Sequence, residues 1–271
     1  MIVKAVASMI ATLSAGAVEA PATPLALAPA GPWTVNGDAD GACMLTRDYG
    51  PVEDRVTVGF QPFPNQPMME VLVLSKTNGG AARHGMAYMT LRSGGLSGVG
   101  TYLSFKVPGS DKRLTRFTVD RSAFDTLPAT DSLTLGSDTS VTIAIRNGKG
   151  AMAALDACQK KLLQAWGIDP ASFGPGKPAP TPRSSPTNWF GPNDYPSAAL
   201  LANMTGRVVM VLTVGEDGRV KACRAVASAG RMLDEATCAL ATRRARFTPA
   251  KDAAGKALAS WMVLPVRWSL P

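Results

Sequence analysis

The sequence predicts two domains of different fold class. The first is a mainly β N-terminal domain, a sandwich or a barrel-like sheet closed by a helix, and the second is a smaller α+β C-terminal domain. Three observations support this prediction: short apolar stretches between turn residues early in the chain, two proline-rich segments, and alternating helical and strand patterns in the last third. A length of 271 residues is typical of two domains.

The first 22 residues are typical of an export signal. A short basic start, Met1–Lys4, precedes 14 uncharged residues, Ala5–Val18. This stretch is shorter than the ~20 apolar residues that a membrane-spanning helix needs. Small residues at Ala15 and Ala17, or at Ala20 and Ala22, offer cleavage sites. We therefore expect a periplasmic protein of a Gram-negative cell, exported by a cleavable signal peptide; an uncleaved signal that anchors the protein in the inner membrane is the alternative.

The region from residue 33 to residue 169 is predicted to be the β-rich domain, after a Pro/Ala tether at residues 23–32. Turn residues such as Pro64-Asn65 separate its apolar stretches. Spacing of roughly 10–15 residues between stretches favours a sandwich or a barrel-like sheet. Five stretches are predicted strands: Arg55–Phe60, Glu70–Ser75, Met86–Leu91, Thr101–Val107 and Val141–Arg146.

A long amphipathic helix is predicted to close this domain. Its apolar side chains recur at steps of three and four residues: Met152, Leu155, Cys158, Leu162 and Trp166. Trp33, Cys43 and the order of a sheet followed by a helix are loosely similar to the invasion-associated locus B family of exported bacterial proteins. Proline-rich residues 170–194 are predicted to be a semi-extended linker to the C-terminal domain.

Four cysteines in an exported protein predict disulfide bonds. Three pairings are possible, and the pairing of Cys43 with Cys158 and of Cys223 with Cys238 keeps each bond within one domain. Metal binding by the four thiolates is the competing interpretation. It is disfavoured because no two cysteines have the Cys-x-x-Cys spacing.

Residues 195–271 are predicted to form a domain with the order helix, strand, strand, helix, strand. A tight turn at Glu216–Gly218 joins the first two strands. Asp234 is predicted to cap a helix that ends near Arg246. In the last strand, Met262, Leu264, Val266, Trp268 and Leu270 alternate toward the core. Trp261, Val263 and Arg267 face the other side.

This C-terminal pattern resembles the C-terminal domain of the TonB energy-transducer family. The resemblance rests on small and apolar residues in a fixed order: Tyr195, Pro196, Gly206, Gly218, Ser228, Gly230, Leu233, Asp234, Phe247, Pro249 and Gly255. It implies a protein-binding domain for transmembrane transport. In the family, a short receptor strand, the TonB box, pairs with the closing strand. Carried over, the partner-binding positions are Ser260, Trp261, Val263, Arg267 and Ser269.

The resemblance implies partners in the cell envelope, such as TonB-dependent outer-membrane receptors or motor components. TonB draws on the inner-membrane motor through an anchor helix and a long spacer. We expect neither feature here, and we therefore expect this chain to bind a partner without transmitting force. If the pairing uses main-chain hydrogen bonds, Val263→Pro should weaken it more than Val263→Ala, because proline removes an amide donor.

The charge distribution leaves a second function open. Residues 195–271 carry 11 Lys and Arg against 5 Asp and Glu, whereas residues 21–169 carry 14 against 13. The alternative is therefore an envelope structural or stress protein whose basic domain docks on cell wall or lipopolysaccharide. Nucleic acid is disfavoured as a partner, because no recognition motif accompanies the charge.

The sequence disfavours an enzyme. His84 is the single histidine, and no Gly-x-Ser-x-Gly element accompanies it. The glycine-rich run Ser93–Gly100 lacks the Gly-Lys-Ser/Thr of a phosphate-binding loop. We therefore predict no catalytic residues, no cofactor and no bound metal.

Overall fold

The structure is a computed structural model that describes residues 26–37, 42–66, 68–77, 79–93, 97–120, 130–137, 140–174 and 177–270. The predicted signal peptide and the first part of the predicted tether lie outside the described residues. None of the helices in these ranges is long and apolar enough to cross a membrane. No cluster of metal-ligating side chains is found within the same ranges.

The N-terminal region is one antiparallel sheet of nine strands, so its predicted mainly β character is confirmed. Its strands follow the order β1-β2-β3-β4-β7-β6-β5-β8-β9. They are β1 (Thr34–Gly37), β2 (Cys43–Tyr49), β3 (Val56–Pro62), β4 (Met68–Lys76), β5 (Arg83–Leu91), β6 (Ser97–Lys106), β7 (Lys112–Asp120), β8 (Thr130–Gly136) and β9 (Ser140–Arg146).

The nine-stranded sheet curls into a half-barrel, and residues 27–30 bridge its two ends. The backbone of Leu27 exchanges hydrogen bonds with β9, to the carbonyl of Thr142 at 2.8 Å and from the amide of Ala144 at 3.0 Å. The amide of Ala30 donates to the carbonyl of Asp48 in β2 at 2.8 Å. These residues are therefore part of the sheet, which differs from the tether expected through residue 32.

All five predicted strands overlap observed ones, whereas β7 and β8 were not among the predicted stretches. β7 shows why, because it carries Arg113 on an inward position. The guanidinium is 7% exposed and donates to the carbonyls of Gly79 and Gly80 at 2.8 and 2.9 Å. A buried arginine that is satisfied by a distant turn breaks the apolar alternation that predicts a strand. His84 lies in strand β5.

Helix α1 (Gly148–Ala165) packs on the first strands of the sheet. Leu155 and Trp166 of the predicted apolar stripe are buried, and so is Leu163, which the stripe did not include. Cys158 of α1 and Cys43 of β2 lie at disulfide distance, with their Cα atoms 6.1 Å apart. The bond ties the closing helix to the sheet at the point where the two pack.

The segment predicted to be a semi-extended linker is largely folded against its neighbours. Short 3-10 turns occur at Pro170–Ser172, Pro186–Trp189 and Pro192–Asp194, and strand β10 (Thr181–Pro182) adds to the C-terminal domain. Trp189 is 1% exposed, and its ring lies 5.5 Å from that of Phe247. The physical reason is burial of this aromatic side chain, which a proline-rich composition does not reveal.

The C-terminal domain contains a three-stranded antiparallel sheet in the order β12-β11-β16. Its elements are helix α2 (Ser197–Leu201), β11 (Gly206–Val214), β12 (Val220–Ala227), helix α3 (Arg231–Arg244), β13 (Phe247–Thr248), β14 (Ala250–Lys251), β15 (Ala257–Leu258) and β16 (Ser260–Trp268). β10 pairs with β13, and β14 pairs with β15.

Helix α3 begins at Arg231 with Gly230 as its N-cap residue, four residues before the cap predicted at Asp234. Asp234 is not the N-cap residue but accepts a hydrogen bond from the amide of Ala229 at 3.0 Å. The carboxylate therefore satisfies a backbone donor just ahead of the helix. Cys238 of α3 and Cys223 of β12 lie at disulfide distance, with their Cα atoms 5.5 Å apart.

Candidate partner-binding edge

The residues of the C-terminal sequence motif form the scaffold of this domain. Gly218 has a positive φ of 74° in the turn between β11 and β12, and a Cβ there would overlap the carbonyl oxygen of Phe247. Gly230, with φ 102°, precedes α3, and a Cβ there would overlap the side chain of Met204. Only glycine fits these two positions.

The other motif residues lie in the core, in turns or at the ends of helices and strands of the same domain. The hydroxyl of Tyr195 donates to the carbonyl of Met204, and its ring lies 5.1 Å from that of Trp268. Ser228 accepts from the amide of Gly230 at 3.0 Å. Leu233 and Phe247 are fully buried. Pro196 stands directly before α2, Gly206 begins β11, Pro249 lies between β13 and β14, and Gly255 has a positive φ in the turn between β14 and β15.

The closing strand β16 buries side chains on both of its faces. On one face, Met262, Leu264, Val266 and Trp268 join the core beneath α3. On the other face, Val263 is fully buried in a cluster with Val209 and Val211 of β11 and with Phe63 and Trp166 of the N-terminal region. The alternation predicted for this strand is present through Trp268, but Leu270 is 39% exposed.

The outer edge of β16 presents the backbone groups of its odd-numbered residues. β16 pairs with β11 on one side and has no strand on the other side within the described residues. The amide of Val263 bonds away from β11, to the carbonyl of Pro64 at 3.4 Å. In an antiparallel pair, bonding direction alternates along the strand, so Trp261, Pro265 and Arg267 also direct their backbone groups outward.

Half of this edge is contacted by the turn that joins β3 to β4. Asn65 donates through its side-chain amide to the carbonyl of Trp261 at 3.0 Å, and Gln66 donates in the same way to the carbonyl of Val263. The indole N–H of Trp261 donates to Ser172 at 3.0 Å. The first half of the predicted partner-binding strand is therefore partly covered by the protein itself.

The second half of the edge, from Pro265 to Ser269, borders a groove of 370 Å³. Aromatic rings form much of its wall, and those of Tyr195 and Phe190 lie 5.1 and 6.4 Å from the ring of Trp268. Arg267 is exposed, and it pairs across the strands with Arg207. Arg207 is half-buried and donates to the side chain of Gln61 at 3.2 Å, whereas Arg267 is exposed. Arg267 therefore raises the positive potential beside the open edge, which favours a partner strand that carries a carboxylate.

Ser260 lies at the other end of β16, beside a groove of 680 Å³ between the segment 167–172 and the sheet. Its hydroxyl is buried without a hydrogen-bond partner among the described residues. Ser269 follows the strand and is exposed. Of the five predicted partner-binding positions, Trp261 and Val263 thus pack in the cluster shared with the N-terminal region, Ser260 is half-buried, and Arg267 and Ser269 are exposed.

One ion pair holds the linker against α3. Arg244 donates to the carboxylate of Asp194 at 2.7 Å and to the carbonyl of Trp189 at 2.9 Å. The hydrogen bond from Arg244 holds the pKa of Asp194 below its usual range, and it raises the pKa of Arg244. One of the two arginines in the last turn of α3, Arg244, therefore has a fixed partner.

Sequence reasoning missed the turn at Phe63–Gln66 as part of this site. The signal for a turn was present, because Pro64-Asn65 is a typical turn pair. Its contact with β16 joins residues that are nearly 200 positions apart, Asn65 and Trp261. No local pattern carries that information.

Comparison with known families supports the resemblance noted in the sequence. Residues 192–270 match the family described as Gram-negative bacterial TonB protein C-terminal, so the prediction for this part of the chain is confirmed. That family is a protein-interaction and energy-transduction domain without enzymatic activity, found in the Gram-negative envelope. No curated protein and no solved structure matches the chain.

Proposed function

We propose that this protein is a periplasmic protein-binding module of the TonB type, in which the closing strand β16 pairs with an extended segment of an envelope partner. The observation that carries the proposal is the outer edge of β16, which has outward backbone groups and no strand beside it within the described residues. The match of residues 192–270 to the TonB family supports the same function.

The physical basis of binding is strand addition. A partner strand would form main-chain hydrogen bonds with the outward groups of β16, and its side chains would occupy the groove beside Trp268. The partner class is an outer-membrane receptor segment or another envelope protein. The exposed Arg267 favours a segment with an acidic side chain near the end of the strand.

Arg267 gives the sharpest test of strand addition. Its amide is directed outward and its side chain is exposed, whereas the side chain of Val263 is fully buried and its amide is bound by Pro64. A substitution at position 267 therefore changes the edge with little change in packing. Proline is tolerated at a strand edge when the missing N–H is the one that faces outward.

We expect Arg267→Pro to weaken binding of a TonB-box peptide by about tenfold relative to Arg267→Ala, since both variants lose the charge and only proline loses the amide donor. The measurement is a peptide titration monitored by the backbone amide signals of residues 260–269 in the full-length protein. Thermal unfolding of both variants serves as the folding control. Equal affinities of two folded variants would rule out pairing at this part of the edge.

The basic charge of the C-terminal domain supports a second candidate, docking on an anionic wall polymer or lipopolysaccharide. The specific observation is the exposed side chain of Arg267 on β16, in a domain with an excess of basic residues. This contact would be electrostatic and would weaken steeply with salt. Binding to lipopolysaccharide micelles that is lost between about 50 and 300 mM salt, combined with no effect of Arg267→Pro beyond that of Arg267→Ala, would favour this candidate.

A further inference from the structure

The turn Phe63–Gln66 of the N-terminal sheet lies directly on the outer edge of β16. It supplies one acceptor and two donors to that edge: the carbonyl of Pro64 to the amide of Val263, the side chain of Asn65 to the carbonyl of Trp261, and the side chain of Gln66 to the carbonyl of Val263. An added strand would use the same backbone groups.

The turn is rigid for reasons visible in its sequence. The amide of Gln66 donates to the carbonyl of Phe63 at 3.2 Å, which closes a four-residue turn. Asn65 has a positive φ of 54°. Proline at the second position and asparagine with positive φ at the third are typical of a type II turn. The turn's own backbone therefore orients its hydrogen-bonding groups, independently of the contact with β16.

Packing fixes the position of the turn relative to the C-terminal sheet. Phe63 is 4% exposed and packs in the same cluster as Val209 and Val263. Gln159 of α1, itself 2% exposed, donates to the carbonyl of Pro62 at 2.9 Å. The chain is therefore held on both sides of the point where the turn meets the edge.

We infer that the turn Phe63–Gln66 is an autoinhibitory contact, a built-in competitor that occupies the first half of the partner-binding edge. This inference rests on the proposed function of β16. A partner strand docks first on the open half, from Pro265 to Ser269, and pairs with Trp261 and Val263 only after the turn has left. The N-terminal region thereby sets the affinity of the C-terminal domain for its partner.

The test weakens the contact without changing the shape of the turn. Asn65→Gly keeps a residue that accepts positive φ, and Gln66→Ala removes the second donor. The control is Gln164→Ala, which removes an exposed amide side chain from α1, away from the edge. Hydrogen exchange of the Val263 amide in the full-length protein reports the contact, and titration with a TonB-box peptide reports the competition.

We expect the double variant to exchange the Val263 amide about tenfold faster and to bind the peptide about tenfold more tightly than the wild type, with no change for Gln164→Ala. Unchanged exchange at Val263 would overturn the contact. Faster exchange with unchanged peptide affinity would overturn the competition and leave strand pairing intact. Absence of peptide binding to either protein would overturn the proposed function and the competition with it, and the exchange rate would still decide whether the turn holds the edge.

Discussion

The edges of the nine-stranded and three-stranded sheets are covered to different extents. In the N-terminal sheet, residues 27–30 bond to both β9 and β2, so the two ends of the curled sheet are joined through the chain itself. In the C-terminal sheet, the edge of β16 receives only a turn over its first half. Edges that are joined to the rest of a sheet do not template further strands, whereas an open edge does.

The difference extends to the faces of the C-terminal sheet. One face is covered by α3, and the other by residues of the N-terminal region, which bury Val209, Val211 and Val263. A three-stranded sheet with apolar side chains on both faces needs a cover on each. The N-terminal region therefore completes the core of its neighbour in addition to contacting the edge.

The largest expected effect on stability is the loss of a disulfide bond, and it should differ between the two bonds. Cys43–Cys158 spans 115 residues and Cys223–Cys238 spans 15. Chain entropy gives about 4.7 kcal/mol for a loop near the first length and about 3 kcal/mol for the second. We expect Cys43→Ala/Cys158→Ala to lower the free energy of unfolding more than Cys223→Ala/Cys238→Ala does, as measured by denaturant unfolding. The reverse order would show that the C-terminal domain depends more on its bond than the curled sheet does.

A smaller effect on stability tests whether the motif residues of the C-terminal domain have a structural role. Gly218 and Gly255 both have positive φ, but a Cβ at Gly218 would overlap the carbonyl of Phe247, and one at Gly255 would meet nothing within 4 Å. We expect Gly255→Ala to cost about 1 kcal/mol from backbone strain alone, and Gly218→Ala to cost about 3 kcal/mol because overlap adds to that strain. Thermal unfolding of the two variants provides the comparison, and similar losses would contradict the assigned role of Gly218.

The smallest effect concerns the linker and depends on pH. Since Arg244 lowers the pKa of Asp194, this carboxylate stabilises the fold above the ordinary carboxyl pKa of about 4 and ceases to do so as pH falls through its lowered value. We expect Asp194→Asn to be less stable than the wild type at pH 7, and the two to converge in acid. Denaturant midpoints measured from pH 7 down to about pH 2 follow the difference.

Glu235→Gln is the matched control for that comparison. The carboxylate of Glu235 lies 3.8 Å from Arg231, and the two side chains are 67% and 87% exposed. Exposed pairs of this kind contribute little, so this variant should follow the wild type at every pH. A difference between Asp194→Asn and the wild type that stays constant into strong acid would assign the loss to altered packing of the linker.

The sequence predicted local features and missed those that depend on distant contacts. The motif of the C-terminal domain could be recognised in the sequence because Gly218 and Gly230 occupy positions where positive φ and close contacts require glycine. The face on which Val263 lies followed from alternation along the strand. What covers that face did not, because Phe63 and Trp166 reach it from remote parts of the chain.

The same reason explains the errors in the linker and in the N-terminal sheet. Trp189 lies among prolines, and only the folded domain shows that its ring packs on Phe247. The strand that carries Arg113 was hidden because carbonyls of a separate turn satisfy its buried charge. The resemblance of the N-terminal region to the invasion-associated locus B family stays a prediction, as do the signal peptide and the partner.

Pro265 lies in the middle of the outer edge of β16 and has no N–H to offer there. An unbroken row of donors and acceptors lets identical chains stack edge to edge, which is the first step toward amyloid-like fibres. The gap at Pro265 divides the edge into two short segments, and the turn at Pro64–Gln66 already contacts one of them. Because the row of donors is interrupted at Pro265, this edge is a poorer template for the stacking of identical chains than an unbroken edge of the same length.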